Sequence, residues 1–154
     1  MAIALNSADM GIRWAVETTA GTRPSSGFAD IVGVKSIPEV GGEPNTLDAS
    51  TLANKKYKTF IFGLQDPGGS VGLTVNDYPA FRTSWTAIQT AYAALTGGKA
   101  MWFEIYYNDS SMKSFYFTGE PCDLSFGGAD VDSVLENTAY IAITGEPEWA
   151  TAST

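Results

Sequence analysis

Residues 57–98 read YKTFIFGLQDPGGSVGLTVNDYPAFRTSWTAIQTAYAALTGG. The run Tyr57–Leu64 is β-branched and aromatic, as a strand prefers. Gln65-Asp-Pro-Gly-Gly69 holds the residue types that reverse a chain. From Ser70 to Asn76 alternation is strict: Val71, Leu73 and Val75 point one way, Ser70, Gly72, Thr74 and Asn76 the other. These features predict a hairpin with one apolar and one polar face. Phe81, Trp85, Ile88, Tyr92 and Leu95 then recur at steps of four and three, the seam of one amphipathic helix over about 78–96. Asp77 is placed to cap its start, Pro79 suits the first turn, and Gly97-Gly98 stops it. The helix seam and Val71, Leu73 and Val75 are expected to form one helix–sheet core.

Further strands are expected at Ile12–Val16, Phe28–Ile37, a hairpin of Ala100–Tyr107 and Met112–Gly119 turning at Asn108–Ser111, a short strand through Leu124 and Phe126, and Val134–Thr144. Residues 1–26 read as an N-terminal arm, 39–56 as a long loop, and 148–154 as a flexible tail. The whole is one domain of 154 residues, mainly β, a sandwich or partial barrel with one flanking helix.

Charge excludes some functions. The net value is −8. Residues 1–99 carry eight acids and eight bases, whereas residues 100–154 carry nine acids and only Lys113. Such a surface is poorly made for gripping phosphates. No apolar run approaches the roughly 18 residues of a membrane span. The N-terminus lacks the basic flank and apolar core of a secretory signal, so synthesis into the cytoplasm and no membrane are expected.

Catalytic and metal chemistry find little material. The chain has no histidine, and its single Cys122 can form neither an internal disulfide nor a zinc site. Gly68-Gly-Ser-Val-Gly72 matches the hydrolase elbow pattern but opens a strand rather than a helix, and no histidine can take the serine proton. Asp130 and Asp132 lack neighbouring ligands at useful spacing and read as a turn. Glu104 and Glu136 would work as acid and base only if folding brought them together. No enzyme, cofactor, catalytic residue or metal ligand is expected.

Ile37-Pro-Glu39, Thr46-Leu-Asp48, the run Tyr57–Gly69 leading into Gly72–Asn76, Phe117–Pro121, Gly128–Leu135 and Ile143–Pro147, taken in that order and spacing, resemble the major tail protein of long-tailed, non-contractile bacteriophages. The likeness spans roughly residues 28–147. It implies a tail-tube fold, six copies closing into a ring, and rings stacking helically into a conduit for genome ejection. It also implies residence in the virion tail after assembly in the bacterial cytoplasm, with a tape measure protein and tail-end proteins as partners. Double-stranded DNA would pass through the lumen without specific binding.

On that resemblance, Ser70, Thr74, Asn76, Ser114, Thr118, Glu136 and Thr138 are candidates to line the lumen. Glu43, Asp48, Lys55, Lys56 and Lys58 are candidates for contact between rings, the lysines meeting acids of residues 120–136. Two alternatives stay open. One is a carbohydrate- or surface-binding β-sandwich module using exposed Trp and Tyr. The other is the inner tube of a contractile tail or type VI-like apparatus.

Overall fold

The computed structural model describes residues 4–41 and 44–154. The chain forms β1 (Gly11–Val16), β2 (Ala29–Asp30), β3 (Val34–Ser36), β4 (Thr46–Asp48), β5 (Phe60–Phe62), β6 (Ser70–Asn76), α1 (Pro79–Ala93), β7 (Met101–Tyr106), β8 (Ser114–Pro121), β9 (Glu136–Ile143) and β10 (Glu148–Ala150). One curled antiparallel sheet runs β2-β1-β7-β8-β9-β6-β3, with β10 added on β8; β4 and β5 make a separate two-stranded ribbon. The molecule is thus mainly β, a half-barrel with one helix.

Period-two alternation sorts the large sheet into two faces. Val71, Leu73 and Val75 lie opposite Ile141, Ala139 and Asn137, and Phe103 lies opposite Phe117, which it stacks at 5.5 Å. Ile12, Met101 and Ile105 extend the same buried layer, and Phe81, Trp85 and Ile88 of α1 close it. Tyr92 and Leu95 continue the seam as half-buried residues against this core. Trp85 donates its indole N–H to the Cys122 carbonyl at 3.0 Å, so the ring is buried without an orphaned donor. Burying these three helix residues stabilises by about 1.5–3 kcal/mol each. That outweighs a missing side-chain cap, typically about 1 kcal/mol. The N-cap position is Tyr78 and its side chain makes no capping bond. Asp77 instead takes a two-pronged hydrogen bond from Arg82, at 2.6 and 2.5 Å. This bond, the largest influence, holds the Asp77 carboxyl below its ordinary value.

Four expectations are corrected. The hairpin of Tyr57–Leu64 with Ser70–Asn76 does not form, because β9 takes one edge of β6 along its whole length and β3 takes part of the other. Gly68 and Gly69, at φ +98° and +71°, precede β6, and β5 pairs with β4 inside the stretch expected to be a loop. The strand expected over Phe28–Ile37 splits into β2 and β3, which serve opposite borders of the sheet. Gly33 makes the break at φ +78°, where an added Cβ would lie 2.7 Å from the Tyr78 ring. Leu124 and Phe126 belong to no strand; Asn137 holds the backbone there through its amide, bonded to the Ser125 carbonyl at 2.6 Å. The tail, expected to be flexible, is docked. β10 pairs with β8, and Tyr116 donates its hydroxyl to the Thr151 carbonyl at 2.7 Å.

Candidate assembly surfaces

The second face of the sheet is polar, and it divides into a covered half and an open half. The covered half lies on β1, β7 and β8. Arg13 pairs there with Glu104, which is 0% exposed. The Ser153 amide and hydroxyl also donate to that carboxylate, at 3.0 and 3.1 Å. The Arg13 guanidinium rests 4.5 Å from the centre of the Tyr106 ring, and Arg23 lies over Tyr116 at 4.3 Å while pairing with Glu148. Burial, first, and then Glu104 push the Tyr116 hydroxyl well above its ordinary value, so it stays a donor.

Glu17 is the second buried acid of this region. Burial pushes its carboxyl up. Hydrogen bonds from the Trp102 indole at 2.8 Å and from the Gly21 and Ala100 amides at 2.8 and 3.2 Å outweigh that effect, leaving it below its ordinary value. Every acid here is answered by donors, so the layer is a structural polar core.

The open half lies on β6 and β9. Thr74 faces Thr138, Asn76 faces Glu136, and Gly72 faces Tyr140 across one ladder. Ser70 is exposed, and Thr74, Asn76, Glu136 and Thr138 are half-buried. Five of the seven lumen candidates therefore share one surface. Thr118 lies on the covered half, opposite Trp102. Ser114 is fully buried beside Ala150 of β10 and lines no surface of this chain. Lys35 pairs with Glu136, while Glu104 pairs with Arg13, so the two glutamates are held apart by different partners.

The ribbon is a different kind of surface. All six residues of β4 and β5 are exposed, including Leu47, Phe60, Ile61 and Phe62. Leu52, Tyr57 and Leu64 flank them, Leu64 at 91% exposure. Side chains close its turn: the Ser50 hydroxyl accepts from the Thr59 amide at 2.8 Å, and Asn54 accepts from the Thr51 amide at 2.6 Å. Lys55, Lys56 and Lys58 sit in this turn. Asp48 accepts from the Ser50 amide at 2.9 Å, its first partner being a ribbon residue. Glu43 lies outside the described residues.

A second exposed apolar stretch was not anticipated. Residues 125–135 are exposed throughout and lack regular structure, with Phe126, Val131, Val134 and Leu135 uncovered. Its ends are fastened by Asn137 and by the Asp77 amide, which donates to the Leu135 carbonyl at 2.9 Å. Apolar residues without periodicity are the only sequence signal, and they read as strand at Phe126, Val134 and Leu135 and as a turn around Val131. A groove of about 820 Å³ opens elsewhere, between Val40, Pro67, Phe115, Ile143, Gly145 and Trp149. No helix among the described residues is long and apolar enough to cross a membrane.

No protein-family model and no curated protein sequence matches this chain. Solved structures do share its fold. A chain of the anti-feeding prophage baseplate, determined with 6-fold symmetry imposed, matches with TM-score 0.63 and 11% identity over 100% of both chains. A chain of the native gene transfer agent virion matches with TM-score 0.63 and 14% identity, covering 96% of this chain and 100% of that one. A chain of the empty gene transfer agent tail, refined helically with C6 symmetry, gives 0.63 and 15% over the same shares.

Proposed function

We propose that this chain is a structural subunit of a phage-type tail, and that it self-associates into six-membered rings stacked as a hollow tube. The ribbon carries this reading. Seven large apolar side chains, Leu47, Leu52, Tyr57, Phe60, Ile61, Phe62 and Leu64, stand exposed on one appendage of a subunit that has already completed its own core. Water-exposed apolar area on that scale marks a surface made to be covered. The fold shared with chains of tail and baseplate particles supports a tail assembly as the place where it is covered.

The short outer strands β2 and β3 leave borders that neighbouring copies extend around a ring, removing the edges. The open polar half of the sheet, with Ser70, Thr74, Asn76, Glu136 and Thr138, faces the lumen; its one lysine, Lys35, is already paired with Glu136. DNA then slides past hydroxyls and amides rather than being held by free cations. Such a subunit works as part of the virion tail beside a length-setting tape measure protein and tail-end proteins, and it catalyses nothing. It is assembled in the bacterial cytoplasm. Electron microscopy of concentrated purified protein tests the reading. Rings or tubes with a central channel are expected; particles that remain single subunits at every concentration would overturn it.

A further inference from the structure

We infer that the ribbon of one copy docks on segment 123–135 of a second copy of this chain. The inference rests on the tail-subunit reading and supplies the two halves of one subunit contact. Residues 50–64 carry Lys55, Lys56 and Lys58 and no acid; residues 123–135 carry Asp123, Asp130 and Asp132 and no base. With Asp48 of β4 counted, the ribbon stretch 46–64 carries +2 against −3 on the segment, opposite in sign. Each set sits among exposed apolar groups, seven on or beside the ribbon and four on the segment. Among the described residues, the largest gatherings of uncovered apolar side chains are these two.

The two surfaces do not satisfy each other within one molecule. The four ion pairs of the described residues join Arg13 to Glu104, Arg23 to Glu148, Lys35 to Glu136 and Arg82 to Asp77, and none uses a ribbon lysine or an aspartate of the segment. A phosphate backbone would answer the lysines but would leave Phe60, Ile61 and Phe62 in water. A protein surface that is both acidic and apolar answers both, and this chain carries one. Donor and acceptor are different surfaces of the same subunit, so the contact is head-to-tail and propagates into a closed ring or a stack. Apolar burial supplies the affinity, and the charges fix register and speed encounter.

Charge exchange tests the pairing. One variant carries Lys55→Glu and Lys58→Glu, and another carries Asp123→Lys and Asp130→Lys. Asp132 is left alone because its φ of +59° would strain a lysine. All replaced residues are exposed, and thermal melting checks that each variant folds. By sedimentation velocity, each variant alone should need about tenfold more protein to self-associate. An equimolar mixture of the two, or one chain with all four changes, should assemble near the unmodified threshold. The pairing is overturned if either variant assembles as readily as the unmodified chain, or if both fail and the mixture restores nothing. In those cases the unmodified chain still assembles and the tail-subunit reading survives. Should the unmodified chain itself stay monomeric, both fall.

Discussion

Glu17 shows how a single residue is fixed by its surroundings. Its carboxylate accepts one indole and two backbone N–H groups in a nearly solvent-free position. The folded state therefore favours the charged form, and the carboxyl is lowered relative to the unfolded chain. A lowered acid contributes stability above its unfolded value and loses that contribution as pH falls through the folded one. Thermal melts from neutral pH down to about pH 3 should accordingly show a smaller acid loss in Glu17→Gln than in the unmodified protein. The variant should also melt lower at neutral pH, since an amide nitrogen cannot accept these donors. An unchanged acid profile would mean that Glu17 titrates as an exposed carboxylate. Nothing in the sequence marks Glu17 or Glu104 for burial. Arg13, Glu104 and Ser153 are 91 and 49 residues apart along the chain, and only the closing of β1 on β7 and the tail over both brings them together.

Elements with strong periodicity were legible. The seam Phe81, Trp85 and Ile88 and the alternation Val71, Leu73 and Val75 name the core directly, because a helix or strand with one apolar face can bury it in only one way. The hairpin of β7 and β8 also forms where its turn residues place it. Partner choice was not legible. The run Tyr57–Leu64 has the composition of a strand, yet composition is silent on whether β4 or β6 pairs with it. The docking of the tail is hidden from the sequence for a related reason. Its small polar residues bury little, but their backbone satisfies groups of the covered layer: Thr151 accepts from Tyr116, and Ser153 donates to Glu104. Between Ile143 and Glu148 four residues face two of β8, a bulge that lets β10 resume pairing along the same edge after β9. Removing residues 148–154 would uncover Glu104 and Tyr116 and strip the β8 edge. The truncated chain should unfold at lower denaturant concentration in urea melts, by about 2–5 kcal/mol for the exposed charge pair and lost ladder. A midpoint equal to that of the full chain would show the tail to be merely resting there.

At the scale of the molecule, the apolar core is closed and the exterior is not. The helix packs on the sheet and the buried acids of the polar layer find donors, although Ser114 Oγ and Arg23 Nε are buried there without a partner. The ribbon and segment 125–135 leave apolar groups in water. On the proposed reading, these two oppositely charged surfaces serve the ordered addition of copies. The central claim is that sister copies cover these two surfaces and leave the core untouched. Hydrogen exchange, compared between dilute monomer and assembled protein, tests it most directly. Amides of residues 46–62 and 123–135 should gain protection on assembly, while those of α1 and β7 stay as protected as before. Equal exchange of the ribbon and segment in both states would contradict the account.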